Sequence, residues 1–312
     1  MISSHRTIVV AATLATVLSA PLAAQARSES NVVFGMYAGA GLLLDIYRPA
    51  QPKGFGVVMI PGGGWMVSPG PSGSPATQMP QVVQDAGALA SAGYTVFAVN
   101  HRGTPTFRYP VPVEDVQRAV RFVRQNAARF GVDSVRIAGL GGSSGGHLVG
   151  LLATMDGHGD GTDPDPINRQ SAKLQCAVTV AAPSDLTRIS PSAVAADALQ
   201  ALALFLGGPV REAMPRTYVV YQTAWAASPA RYVTPDDGPF LLIHGDADNV
   251  VPFGQSAIME ETLKKAGVPV KLIRLAGEGH AATVRGARKA PDYMPEIVSW
   301  LDSCLGPARP GQ

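Results

Sequence analysis

The chain is poor in charge. Asp, Glu, Lys and Arg make up 15% of its 312 residues and the formal net charge is +2. Without a basic run, it lacks the clustered Lys and Arg through which proteins hold phosphate backbones, so no nucleic-acid partner is expected. Coiled coils and charged solenoids are equally ill-matched to so few charges. Long apolar stretches are also missing after the first twenty residues, and stable membrane insertion of the mature chain is not expected. Cysteine is nearly absent. Cys176 opens an apolar strand and Cys304 closes a helix; two separate buried thiols are the slightly favoured expectation over one disulfide. Neither H-E-x-x-H nor C-x-x-C occurs, so no metal or cofactor is expected. Glycine and proline are plentiful, at 34 and 26 residues, but short of low-complexity usage.

The one long apolar stretch opens the chain. Met1–Arg6 is short and polar, Thr7 to Ala20 is uncharged, and Ala24-Gln25-Ala26 has the small-x-small pattern of a cleavage site. This is the layout of a secretory signal peptide, so export to the periplasm or the medium is expected, with 1–26 removed. Retention as an anchor is the alternative, set against the shortness of the stretch and Pro21. Residues 27–312 are expected to form a single domain.

Asn31–Tyr37 and Leu42–Tyr47 read as a β-hairpin. Six short apolar runs follow, at Val57–Ile60, Tyr94–Val99, Val135–Ala138, Ala177–Val180, Phe240–Ile243 and Val270–Leu275. Runs without alternation suit strands buried on both faces. Helical patterns lie between them at Val113–Phe130, His147–Met155, Gly254–Ala266 and Pro295–Leu305. The expected fold class is therefore α/β, a mainly parallel central sheet with helices on both faces. A stretch at about 184–230, with an apolar helix around Ala193–Leu206, is too long for a simple connection and reads as a small cap insertion. Met66–Gln78 reads as an irregular loop.

Gly139-Leu140-Gly141-Gly142-Ser143-Ser144-Gly145-Gly146-His147 follows a buried run and precedes a helix. G-x-S-x-G between strand and helix is the setting in which a sharp turn lifts a serine hydroxyl above a sheet. The glycines also permit a frame centred on Ser144, but Ser143 is preferred, because Ser144 then occupies the position whose backbone N–H faces the reacting oxygen. A nucleophilic serine needs a base and a group that orients the base. Asp246 and Asp248 follow the run at Phe240–Ile243, and His280 follows that at Val270–Leu275, the chain order Ser…Asp…His of such sites.

These features resemble the α/β-hydrolase fold, and within it the hormone-sensitive-lipase-like and feruloyl-esterase-like carboxylesterases. The matching residues are Pro61-Gly62-Gly63-Gly64-Trp65, Asn100-His101-Arg102, Val113-Glu114-Asp115-Val116, the Ser143 elbow with Gly146-His147-Leu148, Ala227-Ser228-Pro229, the Asp248 loop and His280. The resemblance runs from about Leu44 to Leu301. It implies a serine carboxylic-ester hydrolase acting through an acyl-enzyme on a small, aryl or carbohydrate ester. Ser143 would be nucleophile, His280 base and Asp248 the acid, in preference to Asp246; Gly63, Gly64 and Ser144 would form the oxyanion hole. One departure stands out: Pro61 takes the place of the histidine that usually opens the oxyanion loop. A peptidase of the acyl-peptidase type and a catalytically impaired binding protein of the same fold remain the alternatives.

Two weaker patterns are set aside. Gly277-x-Gly279-x-x-Ala282 has no βαβ unit after it to make a dinucleotide site. Asp156–Gly161 opens like a calcium loop but reaches Ile167 where a glutamate is needed. His147 is expected to pack or bond beneath the elbow, and His101 and His244 to be structural.

Overall fold

The computed structural model describes residues 29–66, 75–280 and 292–306. The proposed leader, most of the 66–78 loop and Ala282 lie outside the described residues. Eight strands form one sheet: β1 (Glu29–Tyr37), β2 (Ala40–Tyr47), β3 (Gly56–Ile60), β4 (Thr95–Val99), β5 (Ile137–Gly142), β6 (Cys176–Val180), β7 (Phe240–Gly245) and β8 (Val270–Leu275). Their order is β1-β2-β4-β3-β5-β6-β7-β8. β1–β2 and β2–β4 pair antiparallel, and every later pair is parallel. The hairpin turn is tighter than its sequence suggests, because Tyr37 pairs with Ala40. Ala38 and Gly39 both take positive φ, 47° and 84°, the conformation that matches a two-residue turn to the twist of its strands.

The central strands read as unbroken apolar runs because both faces are covered. Val58 and Ile60 point into one hydrophobic cluster, and Val57 and Met59 into the other. Helices α2 (Val111–Gln125), α4 (Ser144–Thr154) and α7 (Gly254–Ala266) supply the first cluster; α1 (Pro80–Ser91) and α8 (Met294–Leu305) supply the second. Short α3 (Ala127–Phe130) follows α2. The expected single helix Val113–Phe130 is thus two. Asn126 interrupts it by donating its side-chain amide to the Phe122 carbonyl at 2.8 Å, a local bond that competes with helix continuation. The expected strand at Val135 begins only at Ile137; Val135 is 65% exposed, and its N–H is turned onto the Asp133 carboxylate at 3.1 Å. Between β6 and β7, within the stretch expected as an insertion, lie α5 (Ala196–Leu206) and α6 (Val219–Ala226). Leu202 and Phe205 of α5 are buried in the first cluster.

The two cysteines form a disulfide, correcting the expectation of separate thiols: Cys176 at the start of β6 is bonded to Cys304 of α8, with Cα atoms 6.3 Å apart. Only the packing of α8 across the second face brings together residues separated by 128 positions. A crosslink over so long a loop contributes on the order of 2–4 kcal/mol.

Candidate active site

The carboxyl ends of β3, β5 and β6 and the loops after β7 and β8 converge on one cavity of about 1010 Å³, walled by α1, α5 and α8. Ser143 sits at its floor, between β5 and α4, with φ 53° and ψ −126°. Such a conformation is strained for a residue with a Cβ and persists only when the surroundings hold it. Here the Ser143 N–H donates to the Val180 carbonyl at 2.7 Å, and the Ser143 carbonyl accepts from the His147 N–H at 3.0 Å. Close approach explains the glycines around it. A Cβ on Gly145 would stand 2.1 Å from the Ile60 carbonyl oxygen, and one on Gly62 would stand 2.8 Å from that of Gly142. The elbow and the Pro61–Trp65 loop therefore lie against each other.

The structure brings together Ser143, His280 and Asp248. The Ser143 hydroxyl donates to His280 Nε2 at 3.0 Å, and His280 Nδ1–H donates to Asp248 Oδ2 at 2.7 Å. Asp248 Oδ1 accepts the backbone N–H groups of Val250 and Val251, each at 2.8 Å. Burial works to raise the pKa of this carboxyl. Hydrogen bonds from His244 and His280, and the Val251 N–H, outweigh it and hold the group well below the ordinary range. The carboxylate is thus charged, buried and fixed.

Asp246 is elsewhere. Its oxygens accept from Arg274 Nε at 2.8 Å and from the Gly277 N–H at 2.6 Å, so it fastens the loop that carries His280 rather than touching the imidazole. Ser144 is buried, and its hydroxyl has no hydrogen-bond partner among the described residues. Gly63 and Gly64 line the cavity beside Ser143 and Ser144. His147 does bond beneath the elbow, to Trp65 and to the Ala227 carbonyl. His244 is structural too, with Nδ1 2.7 Å from Ser256 Oγ and Nε2 2.9 Å from the Val251 carbonyl. His101 Nδ1 donates to the Arg102 carbonyl at 2.8 Å. Among the described residues, no group of three His, Cys, Asp or Glu side chains is arranged to hold a metal ion. Among them, too, no helix is long and apolar enough to cross a membrane.

Sequence reasoning did not single out the polar wall of the cavity. Asp85, on α1, lines the wall with Gln81, whose amide donates to it at 2.7 Å. Burial, opposed by that hydrogen bond and reinforced by nearby Asp292, pushes its pKa from 3.8 up to about 6. A raised carboxyl costs stability once the unfolded chain ionises, so the cost grows between about pH 4 and pH 6 and persists above. Asp85→Asn is expected to gain about 1–3 kcal/mol at pH 8 and nothing at pH 4. Urea unfolding at the two pH values measures it, and an equal change at both would refute the linkage.

A parallel sheet with an antiparallel edge, a serine on a strand–helix elbow, and an acid and histidine on later strand-end loops define an α/β-hydrolase. The comparisons agree. The BD-FAE family model matches residues 44–263, and the chain belongs to that family. It is 29% identical over 283 residues to the probable carboxylic ester hydrolase LipM of Mycobacterium tuberculosis, covering 88% of this chain and 60% of that protein. Esterase LipC of the same organism is 30% identical, over 80% of this chain and 59% of its own. The chain thus spans about three-fifths of the length of these relatives. Among solved structures, a truncated carbohydrate esterase from gut microbiota superposes with a TM-score of 0.72 at 26% identity, covering 90% of this chain and 98% of that one.

Proposed function

We propose that the protein is an exported serine carboxylic-ester hydrolase acting on neutral, small or carbohydrate-linked esters. The observation that carries this reading is the Ser143–His280–Asp248 hydrogen-bonded chain opening into the cavity. His280 Nε2 takes the Ser143 proton as Oγ bonds to the ester carbonyl carbon. The oxyanion is met by the N–H groups of Gly63, Gly64 and Ser144. Collapse breaks the bond to the alcohol, which leaves with the proton from His280. Water then repeats the sequence on the acyl-enzyme, releasing the acid and restoring Ser143. Asp248 keeps the imidazole in the tautomer whose Nε2 can accept. The leader at 1–26 is the basis for export.

Substrate charge follows from the lining. No Lys or Arg is among the described residues that line the cavity, whereas Asp85 and Asp197 are. Among the described residues, an anionic alcohol part would meet carboxylates and no Lys or Arg. The polar Gln81–Asp85 wall suits hydroxyl groups, consistent with the carbohydrate esterase to which the chain is similar. The test is a panel of aryl acetates, propionates and butyrates with acetylated xylan and a feruloyl ester, each neutral ester paired with an analogue carrying a carboxylate on the alcohol. Neutral esters are expected to turn over, and the anionic analogues about tenfold or more slower, since one unfavourable charge contact of about 1.4 kcal/mol is a factor of ten. Turnover of none of the panel, with no labelling by a fluorophosphonate probe, would exclude an active serine esterase and leave the binding-protein alternative.

A further inference from the structure

We infer that Trp65 and His147 form a brace that locks the oxyanion loop onto the helix carrying the nucleophile, in place of the histidine that Pro61 displaces. The inference rests on the esterase reading and makes both residues positioning residues, not catalytic ones.

Three consecutive residues of the loop, Gly63, Gly64 and Trp65, have positive φ, at 136°, 67° and 58°. The glycines adopt this readily; for tryptophan it costs on the order of 1–2 kcal/mol. A bulky residue stays there only if other contacts hold it. Trp65 is 6% exposed, and four contacts converge on it. Its carbonyl accepts the Thr104 N–H at 2.9 Å. The indole stacks on Phe205 of α5 with ring centres 4.3 Å apart and planes 11° apart, and it meets the His147 ring edge-on at 5.3 Å. Its Nε1–H donates to His147 Nδ1 at 3.2 Å.

His147 is suited to receive that bond. It lies one helical turn after Ser143, and its own N–H closes the first turn on the Ser143 carbonyl. Nε2–H donates to the Ala227 carbonyl at 2.6 Å, which fixes the tautomer and leaves Nδ1 as a lone-pair acceptor. Complete burial lowers its pKa to about 4, so the ring stays neutral at the pH of ester hydrolysis. A leucine would fill the same space without burying two polar groups. What the polar pair adds is geometry: with Trp65 pinned, the Gly63 and Gly64 N–H groups keep a fixed relation to Ser143. Freed of the pin, the strained turn can relax and carry those donors away from the oxyanion.

The experiment uses the full chain. Trp65→Phe keeps the stacking ring and removes the donor; His147→Phe removes the acceptor, and His147→Gln restores a group able to accept. Removing one oxyanion donor outright costs about 10²–10³ in kcat. Displacing the donors by loosening the loop is expected to cost about 10–100-fold in kcat for Trp65→Phe and His147→Phe, with KM within about twofold, because the interaction strengthens only in the transition state. His147→Gln is expected to recover part of the loss. A wild-type kcat in Trp65→Phe overturns the brace, as does a loss shared equally by kcat and KM. Should His147→Phe fail to fold, Trp65→Phe decides alone. Independently of activity, the Trp65 indole N–H should exchange with solvent far more slowly than that of Trp225, which is 44% exposed. Equal exchange would remove the hydrogen bond and the brace with it, whether or not the chain hydrolyses esters. Failure of the esterase reading is recognised separately, by absence of turnover and probe labelling in the wild type.

Discussion

Ser143→Ala is expected to lower kcat on an aryl acetate by about 10⁴–10⁶-fold, with little change in KM or stability. The range follows from the behaviour of serine nucleophiles: removing one member of a unit that acts together abolishes nearly all the covalent route, and what remains comes from binding and the oxyanion donors. Stability should hold because the strain at φ 53° arises from the Cβ, which alanine keeps. The hydroxyl itself bonds His280, so its loss leaves the imidazole Nε2 facing the cavity and water rather than buried without a partner. Ser144→Ala is the internal control for the overlapping glycine frame. The Ser144 hydroxyl has no partner among the described residues, and its backbone N–H survives the change, so activity should stay within a few-fold of wild type. Steady-state kinetics and fluorophosphonate labelling read both variants. Loss of labelling in Ser144→Ala with retention in Ser143→Ala would reverse the assignment of nucleophile.

What could be read from the residues alone divides along a physical line. Strands covered on both faces announce themselves, because each is apolar at nearly every position. All six runs became strands, five with ends within two residues of those expected, while that at Val135–Ala138 became Ile137–Gly142. The edge strand β8 carries Lys271 and Arg274 outward. The elbow is equally legible, since close packing against the Ile60 carbonyl demands glycine at 145. Helix α1 went unassigned. Its core side, Val82, Ala86, Leu89 and Ala90, has helical spacing, but the other side carries exposed Val83 with Gly87 and Ala88, so the polar contrast is weak and Asp85 had no element on which to be placed. The Cys176–Cys304 pairing depends on α8 docking over β6, a long-range fact that no local pattern encodes. The choice between Asp246 and Asp248 was of the same kind: the two lie two residues apart after β7, and the folded loop gives one to Arg274 and the other to His280.

That choice can be tested most severely by amide substitution. Asp248→Asn is expected to cost about 10⁴ in kcat, and the hydrogen-bond inventory explains why no rotation of the amide rescues it. Asp248 is an acceptor on both sides, from His280 Nδ1–H and, at 3.4 Å, His244 Nε2 at Oδ2, and from the Val250 and Val251 N–H groups at Oδ1. With the amide nitrogen at the Oδ2 position, NH₂ faces Nδ1–H, and the clash is relieved only if the imidazole moves its proton to Nε2. The ring then donates toward Ser143 and cannot take its proton, the wrong-tautomer defect that costs serine hydrolases about 10⁴ in kcat. With the amide turned over, the nitrogen opposes the Val250 and Val251 N–H groups, which have no other acceptor among the described residues, at a cost of about 1–3 kcal/mol for the buried Val251 N–H left unpaired. Asp246→Asn has neither consequence: its partners are Arg274 and Gly277, so kcat should fall by no more than a few-fold while the loop loses an ion pair whose arginine is largely exposed. Stability should separate the two as well. A carboxyl held below its ordinary pKa stabilises the fold fully above the unfolded value of about 3.9 and loses that contribution as pH falls toward the folded value. Asp248→Asn should therefore be destabilised against wild type at pH 7, and the gap should narrow as the medium is acidified through pH 4 and below. A wild-type kcat in Asp248→Asn together with a collapse in Asp246→Asn would hand the role to the rival acid.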